Sequence, residues 1–148
     1  MPADLPDLKR VLADSSLAEG LRRGLASGDA LESIVLDARG RWWHQGEIFQ
    51  NENLAKLFSH GVKQSAGGTW LVVLGDFSYP IVVEDVGYFV ERLDLEAEPG
   101  MLKTSSGHEE AADFSSLRMN KDYALYLKLS SVKLDARLLR TAQQSLEP

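Results

Sequence analysis

The spacing of apolar residues changes along this chain, and each change predicts an element. Residues 8–12 and 16–26 carry apolar positions at helical intervals and predict two short helices. The second would open on Ser15 or Ser16 as N-cap and close near Ser27-Gly28-Asp29. Gly20, Gly24 and Gly28 recur on one helical face, and each costs about 1 kcal/mol of helix propensity against alanine, so a frayed N-terminal segment is expected. Arg22 and Arg23 between them exclude lipid contact. From Leu31 the pattern becomes "SIVLD", "ARG", "RWWH": strand, turn, strand, a hairpin that Gly40 reverses. Gly46 allows a second bend. Asn51 then caps a helix whose Leu54, Leu57, Phe58 and Val62 form a stripe expected to face a core, with "QSAGG" ending it.

Three strands follow, "TWLVVLG", "PIVVED" and "YFVERLDLE", joined by the turn "DFSY" and a kink at Gly87. A polar, turn-rich stretch runs from Gly100 to the strand "DYALYLKLSS", where Tyr123, Leu125, Leu127 and Leu129 share one face. Leu134, Leu138, Ala142 and Leu146 recur at every fourth position and predict a terminal helix. The sum is an α+β fold of antiparallel hairpins or a meander, packed with a central helix and a C-terminal helix. Strands followed by a helix occur twice, around 33–63 and 69–146, without a sequence repeat of fixed period. A helical N-terminal segment, 1–30, precedes a single α+β domain, 31–148, which divides most naturally, if at all, into subdomains 31–68 and 69–148.

Composition changes this picture mainly by exclusion. A chain of 148 residues, 44% apolar and 26% charged, is an ordinary globular domain. At this size it buries roughly 68–70% of its unfolded surface. Cysteine is absent, which removes disulfides, thiolate zinc sites and thiol nucleophiles. The start "MPADLPDLKRVLADSS" has acids and prolines where an export signal needs a basic, then apolar, run, so a cytoplasmic protein is expected. No apolar run approaches the roughly 18 residues of a membrane helix. The net charge of −6 disfavours nucleic acid unless a local basic patch overcomes it.

Candidate chemistry concentrates in 39–61, "RGRWWHQGEIFQNENLAKLFSHG". His44, His60 and His108 are not spaced as metal ligands, and His60 in the last turn of its helix favours the helix dipole without any ligand. There is no G-x-S-x-G, and Ser106, His108 and Glu109 are too close along a flexible loop to form a triad. "AGG" at 66–68 lacks the Lys-Ser/Thr of a phosphate loop. No metal and no cofactor are therefore expected. Glu84 and Asp85 end a strand on opposite faces, so one should turn inward and need a partner; if that partner is Arg39, Arg41 or His44, the result is a structural ion pair or a site with a shifted titration. Glu109 and Glu110 read as solvated surface. Two arginines beside "WW" make a thin patch for nucleic acid. Trp42 and Trp43 should point to opposite faces, one into the core and the other either covered by a helix or exposed in a groove.

The candidate ligand-binding residues are accordingly Arg41, Trp42, Trp43, His44, Glu84 and Asp85. Three readings compete: a non-enzymatic regulatory or interaction domain binding a small molecule or peptide, an enzyme with a His44–carboxylate acid–base pair, and a sealed core with no site. Neither nucleic acid nor membrane is expected as a partner, and oligomeric state is open.

The segment "DARGRWWHQGEIFQNENLAKLFSHGV", with "GTWLVVL" and "IVVEDVGYFV", resembles the bacterial DUF1285 family, a domain of unknown function. Its pattern falls on Trp42, His44, Gly46, Leu54, Leu57, Phe58, Trp70, Leu71, Val83, Glu84, Asp85 and Tyr88 or Phe89, covering 33–95; the tail "LDARLLRTAQQSL" resembles the family's terminal helix more weakly. The chain departs at Asn51, where members often carry arginine, at Gly87, where a proline often stands, and in a short stretch between Pro99 and Tyr123. The resemblance implies an α+β fold of curved antiparallel strands around helices, without established catalysis and with a suspected part in signal transduction.

Overall fold

Helix α1 (Leu8–Ala13) starts where the Asp7 carboxylate accepts a hydrogen bond from the Lys9 amide. Helix α2 (Glu19–Ala26) begins later than the sequence pattern suggested, after Ala18 and without a side-chain cap. Ser16 is occupied elsewhere: its hydroxyl and amide both donate to Asp14, and its oxygen accepts from the Gly67 amide. The hydroxyls of Ser65 and Thr69 donate to the same carboxylate. These bonds, the Ser16 hydroxyl foremost, hold Asp14 well below the usual carboxylate range. At Gly67 even one methyl would sit 2.1 Å from Asp14 Oδ1. Leu17, just before α2, and Leu25 within it join Val11 and Leu71 in a buried cluster. Helix α2 forms across Gly20 and Gly24, and the buried leucines offset the helix propensity that the glycines cost.

A computed structural model describes residues 4–28 and 31–147; the expected closure of α2 at Asp29 lies partly outside them. Strands β1 (Ile34–Leu36) and β2 (Trp42–His44) pair antiparallel as a hairpin, with Val35 opposite Trp43. Gln45 and Gly46, with φ of 51° and 81°, turn the chain directly into β3 (Glu47–Ile48). Two successive positive φ values make the two-residue reversal that suits a twisted hairpin. Helix α3 (Glu52–His60) follows, capped by Asn51, whose side chain accepts from the Asn53 and Leu54 amides. The residue that departs from the family pattern is thus a working N-cap.

The stripe on α3 faces a core only in part. The helix has no buried residue, Leu54 and Leu57 are 40% and 51% exposed, and Val62 belongs to the next strand, β4 (Val62–Gln64). Leu57→Gln is therefore expected to change the unfolding free energy read from urea titration by less than about 0.5 kcal/mol, whereas a core leucine would cost several times more. The helix stops at Gly61, where a Cβ would meet the Val73 carbonyl oxygen at 2.5 Å; "QSAGG" instead ends β4 and turns into β5 (Trp70–Leu74). The reversal after β5 uses Gly75 and Asp76, so "DFSY" is mostly strand, within β6 (Phe77–Pro80). Strand β7 (Val82–Val83) returns to lie parallel to β1, giving the sheet order β3-β2-β1-β7 beside a second sheet β4-β5-β6. Gly87 stands where a Cβ would be 2.3 Å from the Trp70 ring, which accounts for glycine at the second departure from the family pattern.

The chain divides into two compact units, Met1–Gly87 and Tyr88–Pro148. Because β4 pairs with β5 in register Val62↔Val72, a division at 68/69 would cut a sheet; it falls at 87/88 instead.

The second unit is a six-stranded sheet, order β10-β9-β8-β13-β12-β11. The stretch that read as polar and turn-rich supplies β9 (Met101–Thr104), β10 (Glu109–Ala111) and β11 (Arg118–Met119). Strand β8 (Tyr88–Asp94) runs parallel to β13 (Leu134–Leu138), through Ala136↔Tyr88 and Leu138↔Val90. Residues 134–138 were expected in a helix, yet only α4 (Arg140–Gln144) is helical. A spacing of four fits both periods, since i and i+4 also share a strand face. In β12 (Leu125–Leu129), Tyr126, Leu127 and Leu129 are buried. Tyr123 is 75% exposed, because it sits at positive φ in the preceding turn and not on the strand. Among the described residues, four helices and thirteen strands in three mostly antiparallel sheets make an α+β fold.

Candidate functional site

The β1–β2 turn is organised by a residue the sequence reading passed over. The Asp37 amide donates to the Arg41 carbonyl at 2.8 Å, and the Gly40 amide donates back to the Asp37 carbonyl at 3.1 Å. Asp37 Oδ1 accepts the backbone amides of Arg39 and Arg41, each at 2.9 Å. Oδ2 accepts Arg41 Nε at 2.8 Å and the Trp43 indole Nε1 at 2.9 Å. Only 6% of Asp37 is exposed. Burial pushes its pKa up, but the bonds from the Trp43 indole, the Arg41 amide and guanidinium and the Arg39 amide together outweigh it, and the group titrates below its ordinary value.

The consequence is a rigid wall. Trp43 and Arg41 are pinned through one carboxylate, with Arg41 Cζ 5.7 Å from the Trp43 ring centroid. An open cleft of about 390 Å³ lies against them, lined among others by Asp4, Val35, Arg39, Arg41, Trp43 and Glu84. That volume is at the small end of the ligand-pocket range.

Strand alternation sorts the other expected residues. Trp42 points the opposite way from Trp43 and is 1% exposed. It donates its indole N–H to Ser59 Oγ at 2.9 Å and packs on Phe49 and Phe58, with centroids 6.2 and 5.5 Å away. It is a core residue and does not line the cleft. His44 is about half exposed and faces Glu32 at 3.6 Å, rather than Glu84 or Asp85. The expectation that Glu84 or Asp85 turns inward fails: both are exposed, because β7 ends at Val83 and the two acids fall in the bend beyond it. Of the six candidates the cleft brings together Arg41, Trp43 and Glu84, and leaves Trp42, His44 and Asp85 outside its wall. Asp37 was missed, and Arg39 was named only as a partner for Glu84 or Asp85 and not as a ligand-binding residue. The available signal was the D-x-x-G spacing of Asp37 and Gly40, in which an aspartate opens a turn and takes up its amides.

In the second unit, Glu110 is not solvated surface. Its side chain is 9% exposed and accepts from the Ser130 amide and hydroxyl, the Ser131 hydroxyl and His108 Nε2 at 3.0 Å. Burial raises its pKa, but these bonds outweigh it and lower the net value. The Ser106 hydroxyl is engaged with Thr104 Oγ1 at 2.7 Å, and His108 meets Glu110 rather than Glu109, which leaves no triad of the kind weighed above. Among the described residues there is no group of three His, Asp or Glu able to hold a metal ion, and no helix long and apolar enough to cross a membrane.

No family model matches the chain, and no curated protein does. Two solved structures are similar to it. A DUF1285 family protein from Shewanella baltica OS155 superimposes with a TM-score of 0.57 at 19% identity, over 76% of this chain and 88% of that one. A second, from Silicibacter pomeroyi DSS-3, gives 0.59 at 15% identity, over 96% of this chain and 83% of that one. At such identities the likeness is one of fold, and it agrees with the resemblance carried by residues 33–95.

Proposed function

We propose that this chain, on its DUF1285-like fold, is a non-catalytic bacterial binding module whose first unit takes a small molecule or short peptide in the cleft beside Trp43, in a regulatory or signalling role. One observation carries the reading: an indole held in a cleft wall by its own N–H, with a half-exposed guanidinium on the same wall. A side chain fixed in this way loses little freedom on binding, so contacts to it contribute their full strength. The same bonds give the Asp37 carboxylate a holding role in the wall, since it is already committed to four donors.

The test uses the three tryptophans. Their indole N–H signals in a ¹⁵N spectrum can be assigned by single Trp→Phe variants and followed across a library of metabolites, nucleotides and short peptides. A ligand is expected to move the Trp43 signal and leave that of Trp42 in place. At about 100 times its dissociation constant it should also stabilise the protein by about 2.7 kcal/mol, an effect that Trp43→Ala abolishes. Hits that bind Trp43→Ala with unchanged affinity would place the site elsewhere and end this reading.

A further inference from the structure

Resting on that reading, we infer that the cleft recognises a small zwitterion, an α-amino acid with an apolar side chain or a dipeptide, by holding its carboxylate and its ammonium at once. The charges on the wall are of both signs. Asp37 and Arg41 compensate each other through the Oδ2–Nε bond. That bond uses one of the five guanidinium N–H groups and leaves the outer edge of Arg41, which is half exposed, to meet a carboxylate with two parallel bonds. The Arg39 guanidinium, on the same wall, has no hydrogen-bond or ion-pair partner among the described residues. Neither has the carboxylate of Glu84 or of Asp4.

A simple anion entering this cleft would meet Arg39 and Arg41 but would also desolvate Glu84 and Asp4 against like charge. A simple cation would do the reverse to Arg39. Either one covers an exposed charge and leaves it without a partner, which weakens binding. A ligand with both charges satisfies the two sets together. Val35, Ala38 and the Trp43 ring supply an apolar surface for its side chain. A volume of about 390 Å³ suits one or two residues and is small for an extended peptide.

The experiment titrates the ¹⁵N-labelled protein with the twenty amino acids and a panel of dipeptides, reading the Trp43 indole signal. The tightest binder is then compared with its N-acetyl form, which lacks the ammonium, and its C-amide form, which lacks the carboxylate. Each is expected to bind at least about tenfold more weakly, the loss of one charge-assisted bond. Glu84→Gln should weaken the parent zwitterion by a similar factor and leave the N-acetyl form unchanged. Arg39→Gln should weaken the parent and leave the C-amide form unchanged. Both side chains are exposed, so neither change threatens the fold. Charge-deleted forms that bind as well as the parent would overturn the inference. So would a Trp43 signal that no amino acid or dipeptide moves while nucleotides or other metabolites do, an outcome in which the binding module survives and only its ligand class falls. If nothing in the whole library moves Trp43, the binding module itself is lost.

Discussion

Trp42→Ala is expected to destabilise the first unit by about 3–5 kcal/mol, the range for truncating a fully buried large aromatic. Trp42 is the largest side chain among the least exposed residues, at 1%. Its ring is gripped edge-on by Phe58 at 5.5 Å and flanked by Phe49 at 6.2 Å, while Phe49 and Phe58 meet each other edge-on at 5.0 Å. Alanine would open a cavity between two rings that cannot close over it without moving α3. It would also remove the indole N–H from Ser59 Oγ. Trp42→Phe keeps most of the volume and should cost less than half as much. Chemical denaturation followed at the remaining tryptophans measures both, and a loss below about 1 kcal/mol for Trp42→Ala would mean that the cluster is not the anchor of α3. Trp43→Ala, one residue along, should be milder for the fold and decisive for binding, and that contrast separates the two indoles.

Asp37→Ala is expected to cost about 3 kcal/mol, because it strands several donors at once. The two backbone amides of the turn, at Arg39 and Arg41, lose their acceptor, and so do the Trp43 indole and the Arg41 guanidinium. Arg41 is half exposed and can turn to water, which keeps the figure below that of a sealed ion pair. Asp37→Asn retains one carbonyl oxygen and should lie between. Acid titration reads the same group. Its folded pKa is lowered, so its stabilisation is fully present above the unfolded value near 3.9 and is lost as pH falls through the folded one. The wild-type protein should therefore lose stability below about pH 4 more steeply than Asp37→Ala does. Equal slopes would show that the carboxylate is no better solvated in the fold than out of it.

Local geometry was legible wherever a short stretch of chain dictates it. The hairpin of residues 34–44 follows from β-branched and aromatic runs around Gly40, and the start of α3 from Asn51, whose side chain can reach only its own next amides. The split of Trp42 and Trp43 to opposite faces follows from a period of two. Less was legible where one spacing fits two structures. Leu134 and Leu138 fit a helix and a strand equally, and only pairing with β8 and β12 selects the strand. The acids at 84 and 85 were read as a continuing strand, but β7 lasts only as long as its partner β1 offers hydrogen bonds.

What the chain alone determined is the class of the fold and the presence of an aromatic, cationic turn at residues 39–43. Which of those side chains share a hollow was decided by tertiary structure. Glu84 reaches the wall beside Trp43 because β7 crosses back to pair in parallel with β1, a contact between residues nearly fifty positions apart. Hydrophobic period and turn chemistry act over a few residues and can be read from neighbours; convergence of charges depends on which distant strand docks alongside, and no local pattern encodes that choice.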